Sequence, residues 1–254
     1  MLNWNLNKSV YFFTLHKCAS SLFAQKILPF VEGLKHVDYA KEIFSGNLIP
    51  SKKTISFASI GFIYGPIRLS APKNLFLYSD FVVPAIENCI RKKGKPLFMI
   101  RDPRDILISQ YYSFGFSHGI SSEPSIQSSQ VEIRKQIATM SLDEYCLLNA
   151  EKTAENFWEL KQLANKYPAD SLFKYEHLIE NPEVFIAQLK QFVPPKQKKI
   201  EEIKMLSRPR ECEDIFSHKR SGKIRAYAEK LKPQTIKKIN QKPEKILKEF
   251  EYEK

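Results

Sequence analysis

The chain has 254 residues, of which 43% are hydrophobic, and its 40 Lys and Arg outweigh 28 Asp and Glu to give a formal net charge of +12. The hydrophobic content excludes an intrinsically disordered chain, because such chains combine low hydrophobicity with high net charge. The length suits one large domain, since domains usually hold ~100 to 200 residues. No apolar run approaches the ~20 residues that a membrane-spanning helix needs, so we predict no membrane span.

The first predicted element is a buried strand over residues 9–15, which is rich in aromatic and β-branched side chains. Residues 1–8 are polar and lack the order of a secretory signal, so we do not expect export. The polar loop 16–21 leads into a helix over residues 22–28, which Pro29 is expected to end. This part of the chain therefore predicts a strand, a tight loop and a helix in succession.

The same succession is predicted further along the chain. Residues 74–79 indicate a strand, residues 83–92 a helix and residues 96–100 a second strand. Asp102 is expected to cap a helix that begins at Pro103 and continues through Tyr112, because proline is favoured at the first helical position.

Residues 114–129 are rich in Gly, Ser and Pro and predict a loop of ~15 residues, a length typical of a functional lid. A capping box at Ser141 predicts a helix through Ala164, residues 171–175 predict a strand, and Asn181 opens another helix. Such alternation predicts an α/β fold, a layered α/β/α arrangement with a central, mostly parallel sheet and a P-loop-like nucleotide-binding architecture.

We expect a single domain over residues 1–254, with a basic helical C-terminal part from about residue 190. Residues 190–254 hold 19 Lys and Arg against 10 Asp and Glu, which is nine of the net twelve positive charges. This bias indicates an anionic partner: a nucleic acid, a membrane surface, an acidic polysaccharide or a nucleotide cofactor. A solvated, Lys-rich closing helix over residues 233–251 is the simpler alternative.

The four cysteines are far apart and form neither a Cys-x-x-Cys motif nor a Cys and His pair. This spacing argues against a zinc site and provides no disulfide framework, so we predict a reducing, cytoplasmic location and no metal cofactor. The cysteines are Cys18, Cys89, Cys146 and Cys212.

The loop after the first strand has the composition of an anion-binding site. Ser20 and Ser21 supply hydroxyl donors, Lys17 supplies a positive charge, and the following helix directs its positive end at the loop. An ordinary Ser-rich helix cap is the alternative. The loop is not the Gly-x-x-x-x-Gly-Lys-Ser/Thr motif of nucleotide hydrolases, because Lys17 precedes the small residues and the loop contains no glycine.

A second cationic motif begins at Arg101, at the end of a predicted strand, and continues to Ser109 in the following helix. An arginine and a serine hydroxyl suit a terminal phosphate monoester, because the guanidinium binds phosphate through two parallel hydrogen bonds. Helix capping by Arg101 and Asp102 is the alternative.

Together these motifs resemble the sulfotransferases that use 3′-phosphoadenosine 5′-phosphosulfate (PAPS). The stretch from Lys17 to Ser21 looks like that family's 5′-phosphosulfate loop, and the stretch from Arg101 to Ser109 looks like its 3′-phosphate motif. The segment around Tyr175 is similar to a family segment whose tyrosine contacts adenine in the cytosolic enzymes.

A fourth motif, residues 218–223, resembles the C-terminal Arg-x-Gly loop that closes over the 3′-phosphate. Two positions depart from the family pattern: Ala19 stands where cytosolic members carry Gly, and Leu22 where they place an adenine-stacking Trp, a role for which Phe23 is a candidate. The cofactor-binding residues that the resemblance implies are Lys17, Cys18, Ala19, Ser20, Ser21, Leu22, Arg101, Ser109, Tyr175, Arg220, Ser221 and Gly222.

The resemblance implies transfer of the sulfuryl group of PAPS to a hydroxyl or amine of a small-molecule, lipid or carbohydrate acceptor, with 3′,5′-ADP as product. It implies no nucleic-acid partner and no metal. Transfer in line between two oxygens needs positioning and stabilisation of charge on the leaving phosphate, and Lys17 is the predicted stabiliser.

The base that takes the acceptor's proton is predicted to be Asp80, which falls near the place where cytosolic members carry a histidine. A helix-capping role for Asp80 is the alternative. Glu42 lies in a stretch similar to a Glu-bearing segment of heparan-type sulfotransferases, and His118 and His16 are weaker candidates.

Three other functions stay open from the sequence. They are a small-molecule or nucleotide kinase of related fold, a non-enzymatic nucleic-acid-binding protein, and a sulfotransferase-like domain that binds cofactor without turnover. The acceptor pocket is expected from residues 33–73 and 114–140, because variable loops form substrate pockets in layered α/β enzymes.

Overall fold

A computed structural model describes residues 8–48, 55–71, 73, 78–206 and 222–252. Within these residues, five strands pair in parallel in the spatial order β2-β3-β1-β4-β5. The strands are β1 (Val10–Thr14), β2 (Lys35–Val37), β3 (Phe62–Arg68), β4 (Lys95–Ile100) and β5 (Leu172–Lys174). The predicted layered α/β fold is confirmed.

Helices connect the strands in chain order. They are α1 (Ser20–Lys26), α2 (Tyr39–Phe44), α3 (Val83–Arg91), α4 (Pro103–Tyr112), α5 (Pro124–Ala138), α6 (Leu142–Ala164), α7 (Tyr175–Glu180), α8 (Pro182–Phe192), α9 (Ile200–Leu206), α10 (Ala226–Lys230), α11 (Pro233–Gln241) and α12 (Glu244–Glu249). None of the described helices is both long enough and apolar enough to cross a membrane.

The core is centred on β1, which is buried along its whole length. Phe12 stacks on Phe23 of α1 at 5.0 Å between ring centroids, and Phe13 stacks on Phe98 of β4 at 5.6 Å. A strand covered on both faces is expected to be continuously apolar, which explains the aromatic run in the sequence.

The strand order places a topological switch at β1. The chain leaves β1 towards β2 and β3 on one side, whereas it leaves β4 towards β5 on the other. The connections after β1 and β4 therefore lead towards opposite ends of the sheet, and in such folds a ligand-binding crevice lies at this point of the carboxyl edge.

Several predicted boundaries are confirmed. The Asp102 side chain accepts a hydrogen bond from the Arg104 backbone N–H (2.9 Å) and caps α4, with Pro103 at its first position. Ser141 and Glu144 form the predicted capping box of α6, and Asn181 caps α8.

Three predicted elements differ from the structure in whole or in part. The predicted strand 74–79 is wrong at residues 78 and 79, which begin a π-helical turn, Tyr78–Val82, whose Phe81 packs into the core ahead of α3. Residues 74–77 lie outside the described residues. The predicted loop 114–129 contains a π-helical turn, Ser113–Ser117, and the start of α5, which Glu123 caps. The predicted helix 233–251 divides near Pro243, which has no N–H to donate.

Candidate active site

The loop between β1 and α1 turns through two left-handed residues that are not glycine. Lys17 has φ +70° and Ala19 has φ +57°. The left-handed conformation costs an L-residue roughly 1 to 2 kcal/mol, and such strain concentrates at functional sites. Thr14 ties the start of the loop to β4, because its hydroxyl donates to the Met99 carbonyl (3.1 Å).

The first turn of α1 presents small polar residues to the crevice. Ser20 is buried and its hydroxyl accepts a hydrogen bond from Arg68 Nε (3.3 Å) at the end of β3. Ser21 and Leu22 are half-buried, and Leu22 packs against the core. Phe23 is fully buried between Phe12 and Phe185, so its ring faces the core and not the crevice.

Lys17 reaches across the crevice to the segment that follows α4. Its ammonium donates to the Ser113 hydroxyl (2.8 Å), and Ser113 is itself buried. The charge of Lys17 is thereby held at the carboxyl edge of the sheet.

Arg101, at the end of β4, joins three distant parts of the chain. Its guanidinium is buried and donates from Nη1 to the Lys17 carbonyl (3.4 Å) and from Nη2 to the Lys223 carbonyl (3.2 Å). It also packs on the Tyr175 ring, 4.6 Å from the ring centroid. Its Nε is buried without a hydrogen-bond partner among the described residues, so this buried cation keeps a donor for a ligand.

Asp105 fastens the C-terminal part of the chain to this site. Its carboxylate accepts hydrogen bonds from the backbone N–H groups of Arg225 (2.7 Å) and Tyr227 (3.2 Å) and lies 3.8 Å from Arg101. Burial raises the pKa of Asp105, and the Arg101 charge acts in the opposite direction.

The structure places the remaining predicted cofactor residues at or near the same edge. Cys18 is buried within the loop, and Ser109 is half-buried about two turns into α4. Tyr175 is buried, and its hydroxyl donates to the Gly222 carbonyl (3.0 Å). Two further predicted residues, Arg220 and Ser221, lie outside the described residues.

The two predicted carboxylate bases have local partners. Asp80 is half-buried and accepts a hydrogen bond from the Ser79 hydroxyl (2.7 Å). Glu42 is exposed on α2 and accepts one from Asn47 (3.2 Å). No hydrogen bond or ion pair between described residues joins either carboxylate to the loop after β1.

The two candidate histidines, His16 and His118, by contrast both contact Phe114, which follows the Ser113 that pairs with Lys17. The His16 ring lies edge-on to Phe114 at 6.0 Å, and Phe114 packs against His118 at 5.9 Å. His118 also contacts Phe44 at 5.7 Å. Other aromatic residues in the predicted pocket ranges 33–73 and 114–140 differ: Tyr39 and Tyr64 pack around Phe57, whereas Phe116 is 40% exposed against Tyr111.

Sequence reasoning missed three residues of this site: Arg68, Ser70 and Ser113. Arg68 ends, and Ser70 closely follows, a run of mostly β-branched and aromatic residues, 62–68, that indicates a strand and would have placed both at the carboxyl edge. Ser113 follows Ser109 by four residues, a spacing that puts both on one helix face.

Comparison with known proteins identifies the family. A family model described as the sulfotransferase domain matches residues 81–250. The crystal structure of mouse sulfotransferase SULT7A1 complexed with PAP has a similar fold, with a TM-score of 0.50, 10% identity, and coverage of 92% of this chain and 83% of that chain. No curated protein matches the sequence. Because the family model covers about two thirds of its length, the chain belongs to the sulfotransferase domain family.

Proposed function

We propose that this protein transfers the sulfuryl group of PAPS to a hydroxyl or amine of a small-molecule, lipid or carbohydrate acceptor. The observation that carries the proposal is Arg101, a buried cation with an unpartnered Nε between the Lys17 loop and residues 222–223. The mouse structure of similar fold holds PAP, which remains when PAPS has lost its sulfuryl group.

The donors of the site fit such a nucleotide. Arg101 and Ser109 suit the 3′-phosphate, because an arginine with a free donor and a serine hydroxyl bind phosphate oxygens well. The loop around Lys17, Ser20 and Ser21 suits the 5′-phosphosulfate. Arg68 adds a cation missed from the sequence, since its Nε contacts the Ser20 hydroxyl.

The bound cofactor would supply the sulfuryl group, and the chain would supply positioning and charge. Lys17 is held at the carboxyl edge by Ser113, so its ammonium is in place before reaction. A fixed cation lowers the barrier most where negative charge accumulates during transfer, which is on the leaving phosphate. The base for the acceptor stays open here among Asp80, Glu42, His16 and His118, and separate Asp80→Asn and Glu42→Gln variants test the two carboxylates.

The acceptor class rests on the family. Phe44 and Phe114 lie beside the histidines and provide an apolar wall compatible with a ring-bearing or lipid acceptor. We also propose one domain over residues 1–254, because the main core includes both Val10 and Tyr252. The cytoplasmic location stays a prediction.

Calorimetric titration of 3′,5′-ADP into the full chain tests the proposal. We expect saturable 1:1 binding that 5′-AMP does not match, because 5′-AMP lacks the phosphate assigned to Arg101. Arg101→Gln should weaken binding at least about 30-fold, which corresponds to about 2 kcal/mol for a lost charged hydrogen bond. Arg91→Ala, which removes an exposed arginine of α3, is the matched control and should bind normally.

The alternatives give different titrations. A kinase would prefer ATP with Mg²⁺, and a nucleic-acid-binding protein would bind oligonucleotides with a steep dependence on salt. If 3′,5′-ADP binds no better than 5′-AMP while the variants keep wild-type circular dichroism, the sulfotransferase proposal is wrong.

A further inference from the structure

His16 lies next to Lys17, the residue predicted to stabilise charge during transfer. His16 follows Thr14, the last residue of β1, by two positions and directly precedes Lys17. Its ring faces Phe114, which is the neighbour of the Ser113 that holds the Lys17 ammonium. The imidazole and the predicted charge-stabilising ammonium are therefore on the same side of the crevice.

Ser70 fixes the orientation of the His16 ring. The Ser70 hydroxyl oxygen accepts a hydrogen bond from the His16 backbone N–H (2.8 Å) and lies 2.8 Å from Nδ1 of the same residue. A hydroxyl oxygen has two lone pairs, so the Ser70 oxygen can accept from the backbone N–H and from Nδ1–H together in the tautomer that carries its proton on Nδ1. In that arrangement Nε2 carries a lone pair, and it forms no hydrogen bond with the described residues.

The surroundings keep this imidazole neutral. Burial lowers the pKa of His16 well below the ordinary histidine value, and three positive or titratable neighbours act in the same direction. These are Arg68 at the end of β3, His118 in the segment after α4, and Lys17 in the loop. A neutral imidazole is the form that accepts a proton.

We propose that His16 is the base of the transfer, with Nδ1 held by Ser70 and Nε2 directed at the acceptor. This role of His16 rests on the proposed function. The acceptor's O–H proton moves to Nε2 as its oxygen bonds to sulfur, and the bond from sulfur to the 5′-phosphate oxygen breaks with its electron pair going to the phosphate. The anionic nucleotide offsets the charges of Lys17 and Arg68, which makes the imidazole more basic when the nucleotide is bound.

Geometry favours His16 over the other candidates. Asp80 and Glu42 hydrogen-bond only to local partners among the described residues, Ser79 and Asn47. His118 contacts Phe44 and Phe114 through its ring, whereas the His16 ring is held by the Ser70 hydroxyl at 2.8 Å from Nδ1. A base held by a third group is the usual arrangement of an activated proton acceptor.

Nuclear magnetic resonance of the imidazole nitrogens tests the proposal on the full chain. At pH 7 we expect His16 to be neutral with its proton on Nδ1, and we expect its pKa to rise when 3′,5′-ADP is added. Ser70→Ala should give a mixture of the two tautomers. A proton on Nε2 of the wild-type residue would overturn the proposal, because that nitrogen would then be a donor.

Kinetics give a second readout. With water as the acceptor, the rate of PAPS hydrolysis is measured by the release of labelled sulfate. In His16→Asn this rate should fall about 100-fold or more, which is the usual contribution of a general base. Asparagine retains a polar group near the Nδ1 position, so 3′,5′-ADP should bind within about twofold of wild type. His36→Asn is the matched control, because His36 contacts the Gly65 carbonyl (2.8 Å) away from the loop, and it should keep the wild-type rate.

The outcomes separate the two proposals. Failure of the wild-type chain to bind 3′,5′-ADP contradicts the proposed function. Normal binding combined with an unchanged sulfate-release rate in His16→Asn contradicts only the role of His16, and a loss in His118→Asn instead would transfer that role to His118.

Discussion

Single residues of the loop between β1 and α1 show where this chain departs from glycine-based loops. Ala19 and Lys17 both take positive φ, a conformation that glycine adopts without steric cost. The loop therefore retains its shape through its neighbours, because Thr14 at its start donates to the Met99 carbonyl of β4 and Arg101 donates to the Lys17 carbonyl. The strain of the left-handed conformation at Lys17 and Ala19 can therefore be tested by substituting one residue at a time.

We expect Ala19→Gly to raise the free energy of unfolding by about 0.5 to 1 kcal/mol, because relief of the left-handed strain exceeds the added entropy of the unfolded chain. Urea unfolding monitored by circular dichroism measures it. Ala154→Gly within α6 is the control and should lower the stability by about 1 kcal/mol. An Ala19→Gly protein less stable than wild type would contradict the strain.

Cys18 lies between Lys17 and Ala19 and is fully buried, which disfavours the reactive thiolate. Burial raises the pKa of its thiol to about 12, and burial likewise raises the pKa of Cys89 to about 11 and of Cys146 to about 12. In a Cys212→Ser background, we expect iodoacetamide at pH 8 to label these thiols only after unfolding. Rapid labelling of Cys18 in the folded chain, followed by mass spectrometry, would contradict its burial.

At the scale of elements, α5 holds the segment that faces the loop. Arg134 donates from Nη2 to the His118 carbonyl (2.6 Å) and from Nε to the Phe114 carbonyl (3.4 Å). Residues 113–118 carry the partner of Lys17 and the ring against His16. One side chain of α5 thus positions the wall of the crevice.

Arg134→Ala should lower the free energy of unfolding by about 1 to 2 kcal/mol and increase amide hydrogen exchange in residues 113–118 above that of α6. Both effects follow because the charged Arg134 guanidinium no longer donates hydrogen bonds to the carbonyls of Phe114 and His118. Lys135→Ala, which removes the exposed neighbouring cation, should change neither. Equal exchange in the two variants would show that Arg134 does not restrain the segment.

At the scale of the whole molecule, the C-terminal part of the chain is hydrogen-bonded to the elements that carry the site. The Tyr252 hydroxyl donates to Glu176 (3.0 Å), and the other oxygen of Glu176 accepts from the Asp102 backbone N–H (2.9 Å). Arg104 also donates to the Tyr252 carbonyl. The chain end is therefore linked to the helix that begins beside Arg101.

Tyr252→Phe should lower the free energy of unfolding by about 1 to 2 kcal/mol, because it leaves an oxygen of the half-buried Glu176 without its donor. A double-mutant cycle with Glu176→Gln isolates the pair, and we expect a coupling energy of about 1 kcal/mol. Additive effects of the two substitutions, measured by urea unfolding, would show that the contact contributes nothing.

Local patterns in the sequence were sufficient for several elements and their caps. The aromatic run of β1, the Asp102 cap and the Ser141 capping box depend on residues a few positions apart, and all three are confirmed. Proline at the start of α5 was the readable signal that the loop prediction overlooked.

The tertiary structure alone decided which distant residues meet. Arg101 and Lys223 are 122 residues apart, and His16 and Ser70 are 54 apart, so no periodicity or cap relates them. Parallel pairing of β3 with β1 brings Arg68 and Ser70 to the loop, because the carboxyl ends of parallel strands share one edge. The sequence by itself determined the strand–loop–helix unit and its family; the order of strands in the sheet determined which cations and which imidazole face the crevice.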